Sequence, residues 1–166
     1  GYRMALDLYT NTRLATFRRC PRQHYLRYEL GLSRIKTFDA LRLGSAYHLG
    51  LATLHNEALL GLEHAVAVAT AGYGEVPEWA DPYRWGVEAE TVAALVRGWH
   101  WRYHDQDAAV RTAELSFAVR LPGLKRVRLA GKLDALSPLP GGGLSLDEYK
   151  TTGDDIGPES DYWLRL

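Results

Sequence analysis

The sequence predicts an α/β fold, a small, mainly antiparallel sheet flanked by helices. Two observations carry this. Up to about residue 110 the apolar residues recur at helical spacing, and from Arg111 the period falls to two. Size is a third: 166 residues, 46% of them hydrophobic, suffice for one domain around one core. The expected organisation is a single domain over 1–166. Its helical part covers about 1–110 and a β-meander about 111–151.

From the N-terminus, Asn11 or Thr12 is placed to cap a short helix carrying Leu14, Phe17 and Arg18. Pro21 interrupts it or begins the next turn. A second helical stretch has Tyr25, Leu26 and Leu30 on its apolar side, with Gly31 as its stop. A long helix is expected over about 39–60 with Asp39 as N-cap, followed by a helical or loop stretch to Ala71. Its stripe is Leu41, Gly44, Tyr47, His48, Leu51, His55, Ala58 and Leu59. Ala71 to Pro77 reads as a loop. The next helix, about 82–104, has Trp85, Ala89, Val92, Leu95, Val96, Trp99 and Tyr103 inward. Such an aromatic stripe is read as packing rather than a base-stacking platform.

Then Leu115, Phe117, Val119 and Leu121 alternate with Glu114, Ser116, Ala118 and Arg120. Pro122-Gly123 turns the chain. Val127, Leu129, Gly131 and Leu133 alternate with Arg128, Ala130, Lys132 and Asp134. A turn over 138–143 leads to a third strand, Leu144 to Thr151, giving an antiparallel meander.

Composition excludes several classes. No apolar run approaches the ~20 residues that span a bilayer. The opening residues, with Arg3 followed by Leu6 and Leu8, do not form a signal-peptide pattern. One cysteine excludes an intrachain disulfide and fits a reducing cytoplasm. The formal net charge is zero, but its distribution is uneven. Residues 1–42 carry nine Lys/Arg against three Asp/Glu, and residues 43–110 carry three against nine. A basic N-terminal third can attract phosphate, or it can be a solvated helix face.

The chemistry concentrates in the hairpin Gly131-Lys132-Leu133-Asp134 … Glu148-Tyr149-Lys150. Strand alternation puts Leu144, Leu146, Glu148 and Lys150 on one face, the leucines buried and the charged pair at the strand's end. Hairpin pairing brings Asp134 beside Glu148. Two carboxylates hold Mg²⁺ or Mn²⁺ through oxygen, and such an ion polarises a phosphate and acidifies a bound water. A lysine beside them stabilises charge developing on the phosphate. The plain alternative is an exposed hairpin with a surface salt bridge. Asp134 weighs against it, because an acid within Leu133-Asp134-Ala135-Leu136 needs a partner.

These motifs resemble the PD-(D/E)xK nucleases, in particular the RecB-like exonuclease branch, which includes the RecB and AddB nuclease domains and CRISPR-associated and phage exonucleases. The resemblance covers most of the chain. Thr16 to Tyr25, with Cys20-Pro21 at its centre, is similar to that branch's N-terminal segment. Gly44-Ser45-Ala46-Tyr47-His48 is similar to its GxxxH motif, and Glu114 to an acid on the strand before the aspartate. Gly131 to Asp134 matches GxxD, and Glu148 to Lys150 matches (D/E)xK.

The resemblance implies a restriction-endonuclease-like core and a Mg²⁺- or Mn²⁺-dependent nuclease acting on DNA in recombination, repair or phage DNA processing. It implies Asp134, Glu148 and Lys150 as catalytic residues. His48, Asp134, Glu148 and the backbone carbonyl of Tyr149 are the implied metal ligands, with Gly44 and Glu114 in support. His55, on a similar helix face, is read as core or surface. Arg18, Arg19, Arg22 and Tyr25 are the candidate DNA contacts, through phosphates and base stacking. A helicase or recombinase partner is compatible with this; a non-catalytic DNA-binding module, or a nuclease domain of a larger helicase–nuclease, is the alternative.

Two departures stand out. Some relatives hold an iron–sulfur cluster on four cysteines, whereas this chain has Cys20 alone. Cys20 is therefore expected to be a small buried residue, and no cluster is expected from this chain alone. The branch also carries a QxxxY helix after the (D/E)xK strand. The sequence reaches Leu166 without that motif, so a missing C-terminal helix is expected.

Overall fold

The computed structural model describes residues 7–33, 39–104 and 112–152. Strand β1 (Asp7–Tyr9) leads into helix α1 (Asn11–Arg19), helix α2 (Pro21–His24) and a π-helical turn, Tyr25–Glu29. The cap of α1 is Thr10, one residue earlier than expected. Its extended backbone lets its hydroxyl accept the Arg13 N–H at 3.1 Å, while Asn11 and Thr12 lie inside the first turn. Cys20 is half-buried rather than core. Its N–H closes α1 on the Thr16 carbonyl, and its Sγ accepts the Gln23 N–H to open α2, with Pro21 at the first position. The apolar side expected for Tyr25, Leu26 and Leu30 is exposed. Arg13 holds this region instead, bonding the Leu8 carbonyl, His24 and Glu29 and stacking on Tyr9. Gly31, at φ +68°, comes after the turn as expected.

Helix α3 (Asp39–Asn56) is shorter than expected. Asp39 is its first residue, and the cap position before it lies outside the described residues. The chain breaks at Glu57, passes a 3-10 turn (Ala58–Leu60) and returns as α4 (Gly61–Tyr73), which takes the first residues of the expected loop. Helix α5 (Pro82–Tyr103) matches its expected span, capped by Asp81. The three long helices pack on one another. Leu51, Val66, Val92, Val96, Trp85 and Trp99 form their common core. Leu95 and Tyr103, placed inward by the sequence, lie at the core's margin and are exposed.

Strands β2 (Thr112–Arg120), β3 (Val127–Pro138) and β4 (Leu144–Asp147) form the expected antiparallel meander with β3 central. Arg111, the expected first strand residue, lies outside the described residues. The short β1 runs parallel to β3 over Val127–Leu129, which makes the sheet mixed. Its three residues carry too little pattern to be read from sequence. Strand β4 ends at Asp147, four residues short of expectation, and Leu144 and Leu146 are exposed because no described element covers them. Among the described residues the result is a four-stranded mixed sheet flanked by five helices, the α/β class expected and the restriction-endonuclease-like arrangement the resemblance implied. The expectation of a missing helix beyond Lys150 falls on 153–166, outside the described residues.

Candidate active site

The site forms where α3 faces the middle of the sheet. A cleft of about 720 Å³ opens there, walled by Gly44, His48, Glu114, Lys132, Tyr149 and Lys150, among others. Each wall has a local cause. His48 lies one turn after Gly44 on the sheet-facing side of α3. A side chain at Gly44 would stand 3.3 Å from the Thr151 hydroxyl, so the glycine lets α3 approach the segment after Lys150. Tyr47, its neighbour, turns into the core, where burial pushes its hydroxyl far above the ordinary tyrosine value and keeps it neutral.

Glu114 and Asp134 come from neighbouring strands. The β2–β3 register pairs Ala113 with Ala135 and Leu115 with Leu133, which sets Glu114 opposite Asp134. Glu114 has φ +59°, a conformation that non-glycine residues rarely adopt and that clusters at functional sites. Asn56, the last residue of α3, fixes the strand beside it. Its side-chain amide donates to the Ala113 carbonyl at 3.2 Å and its oxygen accepts the Ala113 N–H at 3.1 Å. Gly131, two residues before Leu133, is covered by the Phe117 ring across the ladder. A side chain at that position would meet the ring at 2.6 Å.

The ligand atoms of His48, Glu114 and Asp134 lie within 4.8 Å of one another. His48 Nδ1 is 3.4 Å from Asp134 Oδ1 and 3.9 Å from Glu114 Oε1. All three side chains are about one-fifth to one-quarter exposed; His48 and Glu114 line the cleft, and Asp134 lies next to them without lining it. Asp134 has the partners its apolar strand demanded, since its Oδ2 accepts the Tyr149 N–H at 2.8 Å. The Lys132 ammonium pairs with Glu114 Oε2. The set of one imidazole and two carboxylates suits a divalent ion that accepts oxygen with some nitrogen. Its acids bring more negative charge than His48 and Lys132 neutralise when the imidazole is uncharged.

The other expected residues are placed differently. Glu148 lies outside the cluster of three, exposed, with its carboxylate on the Lys150 ammonium. Lys150 lines the cleft. Asp147, beside Glu148 in sequence, pairs with Ala135 and so lies on the opposite sheet face from Asp134, where Ser137 and Ser145 donate to its carboxylate. Arg18, Arg19, Arg22 and Tyr25 are exposed together on α1, α2 and the π-helical turn. His55 faces Trp99 and Tyr149. Two residues of the site, Lys132 and Asn56, are not among the sequence candidates. Lys132 was within reach, because strand alternation puts it on the face of Asp134, whereas Asn56 carries no sequence signal.

No curated protein and no solved structure gives a significant match to this chain. The family model of the PD-(D/E)XK nuclease superfamily matches residues 9–164, a span that contains every residue of the cleft. Members of that superfamily are metal-dependent nucleases, and the His48–Glu114–Asp134 cluster provides a donor set of the matching kind. The chain belongs to the PD-(D/E)XK nuclease superfamily.

Proposed function

We propose that the chain is a Mg²⁺- or Mn²⁺-dependent deoxyribonuclease of the RecB-like branch. It acts as an exonuclease in recombination, repair or phage DNA processing in the cytoplasm. The observation that carries this reading is the convergence of His48, Glu114 and Asp134 beside a cleft lined by the first two together with Lys132 and Lys150. The Gly44–His48 and Gly131–Asp134 motifs, whose glycines make close approaches here, support the branch.

In this reading His48, Asp134 and Glu114 hold the ion, with Glu148 and the Tyr149 carbonyl as further ligands. A bound divalent ion supplies Lewis acidity and an acidified water. Lys150 would orient an attacking water or meet the charge that develops on the phosphate. Asp134 uses its second oxygen to hold the Tyr149 amide. The exposed Arg18, Arg19, Arg22 and Tyr25 suit contact with DNA, through phosphates and stacking.

The test is cleavage of end-labelled single- and double-stranded DNA with Mg²⁺, Mn²⁺ or chelator. Metal-dependent release of nucleotides from one end is expected. Activity that persists in chelator, or in Lys150→Ala, would sink the mechanism. The pairing of Glu148 with Lys150, away from the cluster, favours a second reading, a DNA-binding module without catalysis that works beside a helicase or recombinase. Calorimetry separates the two. The nuclease binds Mn²⁺ and loses it in Asp134→Ala, while a binding module needs no ion.

A further inference from the structure

The residues Glu148, Tyr149 and Lys150 lie beyond the sheet. The last ladder pair of β4 is Asp147 with Ala135, so strand pairing does not fix these three residues. The Glu148 and Lys150 side chains pair with each other and are both more than half exposed. Tyr149 ties the segment to the sheet and to the helices. The Tyr149 N–H donates to Asp134, and the side chain points back into the helical layer, packed against the core.

There the ring makes three aromatic contacts. It lies 6.4 Å from the His55 ring, nearly parallel, and 6.0 Å from Trp99 and 6.2 Å from His48, both edge-on. Its hydroxyl is 3.5 Å from His55 Nε2. His55 is itself set edge-on against Trp99 at 4.9 Å. His48 and His55 are two turns apart on one face of α3, so the Tyr149 ring spans from the metal-site histidine to the core of α5. Thr151 closes the far end against Gly44.

We propose that the Tyr149 side chain and His55 are positioning residues, an aromatic latch that holds Glu148 and Lys150 at the cleft. The inference rests on the nuclease reading for its consequence but not for its geometry. Neither side chain touches the substrate in this scheme. They act by placing Lys150 relative to Asp134, in the way that supporting contacts around a metal site typically hold activity to within 10–100-fold.

The experiment compares the wild type with Tyr149→Phe, Tyr149→Leu and His55→Leu. It measures amide hydrogen exchange of the 148–151 peptide, and separately kcat and KM on DNA with Mn²⁺. Tyr149→Leu should speed exchange about tenfold and lower kcat about 10–100-fold, with KM nearly unchanged. Tyr149→Phe, which keeps the ring, should restore both toward wild type. His55→Leu should give the same pattern more weakly, and it tests the latch from the helical side if Tyr149→Leu does not fold. Wild-type exchange in both leucine variants overturns the latch. Fast exchange with wild-type kcat overturns its role in the reaction. A wild type that cleaves no DNA under any metal defeats the nuclease reading, and the exchange measurement then judges the latch alone.

Discussion

Arg42 and His48 lie less than two turns apart on α3, and each sits in a charged cluster of its own. Arg42 faces α4 and α5. Its guanidinium lies 4.4 Å from the centre of the Trp85 ring and bonds Glu88 at 3.2 Å and the Tyr73 hydroxyl at 3.3 Å. Arg84 takes the other Glu88 oxygen at 3.0 Å, and the Tyr73 hydroxyl donates to Glu88 as well. His48 faces the sheet, Glu114 and Asp134. Exposure barely separates the two clusters, 13% and 16% for the Arg42–Glu88 pair against 19–24% for the other. Charge balance does separate them. One carboxylate answers two guanidiniums in the first, and its oxygens are all engaged. In the second, two carboxylates share one imidazole and one lysine at the wall of a cleft. A cluster closed in charge, beside a small cavity, ties helices together, whereas an acid-rich one left open beside the larger cleft offers a donor set that could hold a cation.

The largest expected effect tests the open cluster. Asp134→Asn keeps an acceptor for the Tyr149 N–H but removes the charge. Nuclease activity should fall by about 10²–10³-fold, the scale of losing one electrostatic contact in an active site. The protein should melt no lower, because Glu114 no longer faces a second acid. Mn²⁺ at about 100 times its Kd should stabilise the wild type by about 2.7 kcal/mol and Asp134→Asn by much less. Calorimetric melts with and without the ion measure this. Equal stabilisation of both proteins would show that the open cluster is not where the ion binds.

Glu88→Ala is the complement. It strands Arg42 among aromatic rings, and breaking such a sheltered pair costs about 3 kcal/mol. Denaturant titration should show that loss, while Mn²⁺ affinity of the folded protein stays unchanged. The cluster also predicts alkaline sensitivity. Burial, and then the hydrogen bond to Glu88, hold the Tyr73 hydroxyl above its ordinary value. Its contribution is fully present below the ordinary tyrosine range and is lost as pH rises through the raised value. Tyr73→Phe should remove that part of the alkaline loss.

Lys132 offers a finer cut, since it sits on Glu114 as a built-in competitor for a metal ion. Lys132→Met should tighten Mn²⁺ binding a few-fold, as the ion then displaces no ammonium. Looser binding would mean that Lys132 helps to shape the site instead.

The closed cluster shows what the sequence can and cannot disclose. Trp85 is legible as core from its helical spacing, but nothing in the spacing announces that an arginine from another helix lies on it. The open cluster is legible in part. Asp134 in an apolar strand demands a partner, and Gly44 and His48 one turn apart point to a close helix approach. Alternation misplaces Glu148, because it carries four residues past the true end of β4, where the ladder no longer dictates which way a side chain points. Glu114 gains its place from a positive φ and from Asn56, neither of which leaves a pattern. Strand β1 pairs over three residues, too short for any period to register.

The smallest expected effect calibrates both clusters against a pair that is fully in water. Arg97 on α5 donates twice to Glu63 on α4, at 3.1 and 2.7 Å. That hydrogen bonding holds the Glu63 carboxyl below its ordinary value. The folded value is lowered, so the pair's contribution is present above the ordinary carboxylate range and fades as pH falls through the lowered one. Exposed pairs of this kind are screened and contribute little. Glu63→Gln should leave the melting temperature at neutral pH almost unmoved and slightly flatten its fall on the acid side, with the difference vanishing in high salt. A loss as large as that of Glu88→Ala would mean that bidentate geometry alone sets the worth of an ion pair here. The contrast between the two α3 clusters would then need another basis than charge balance away from bulk water.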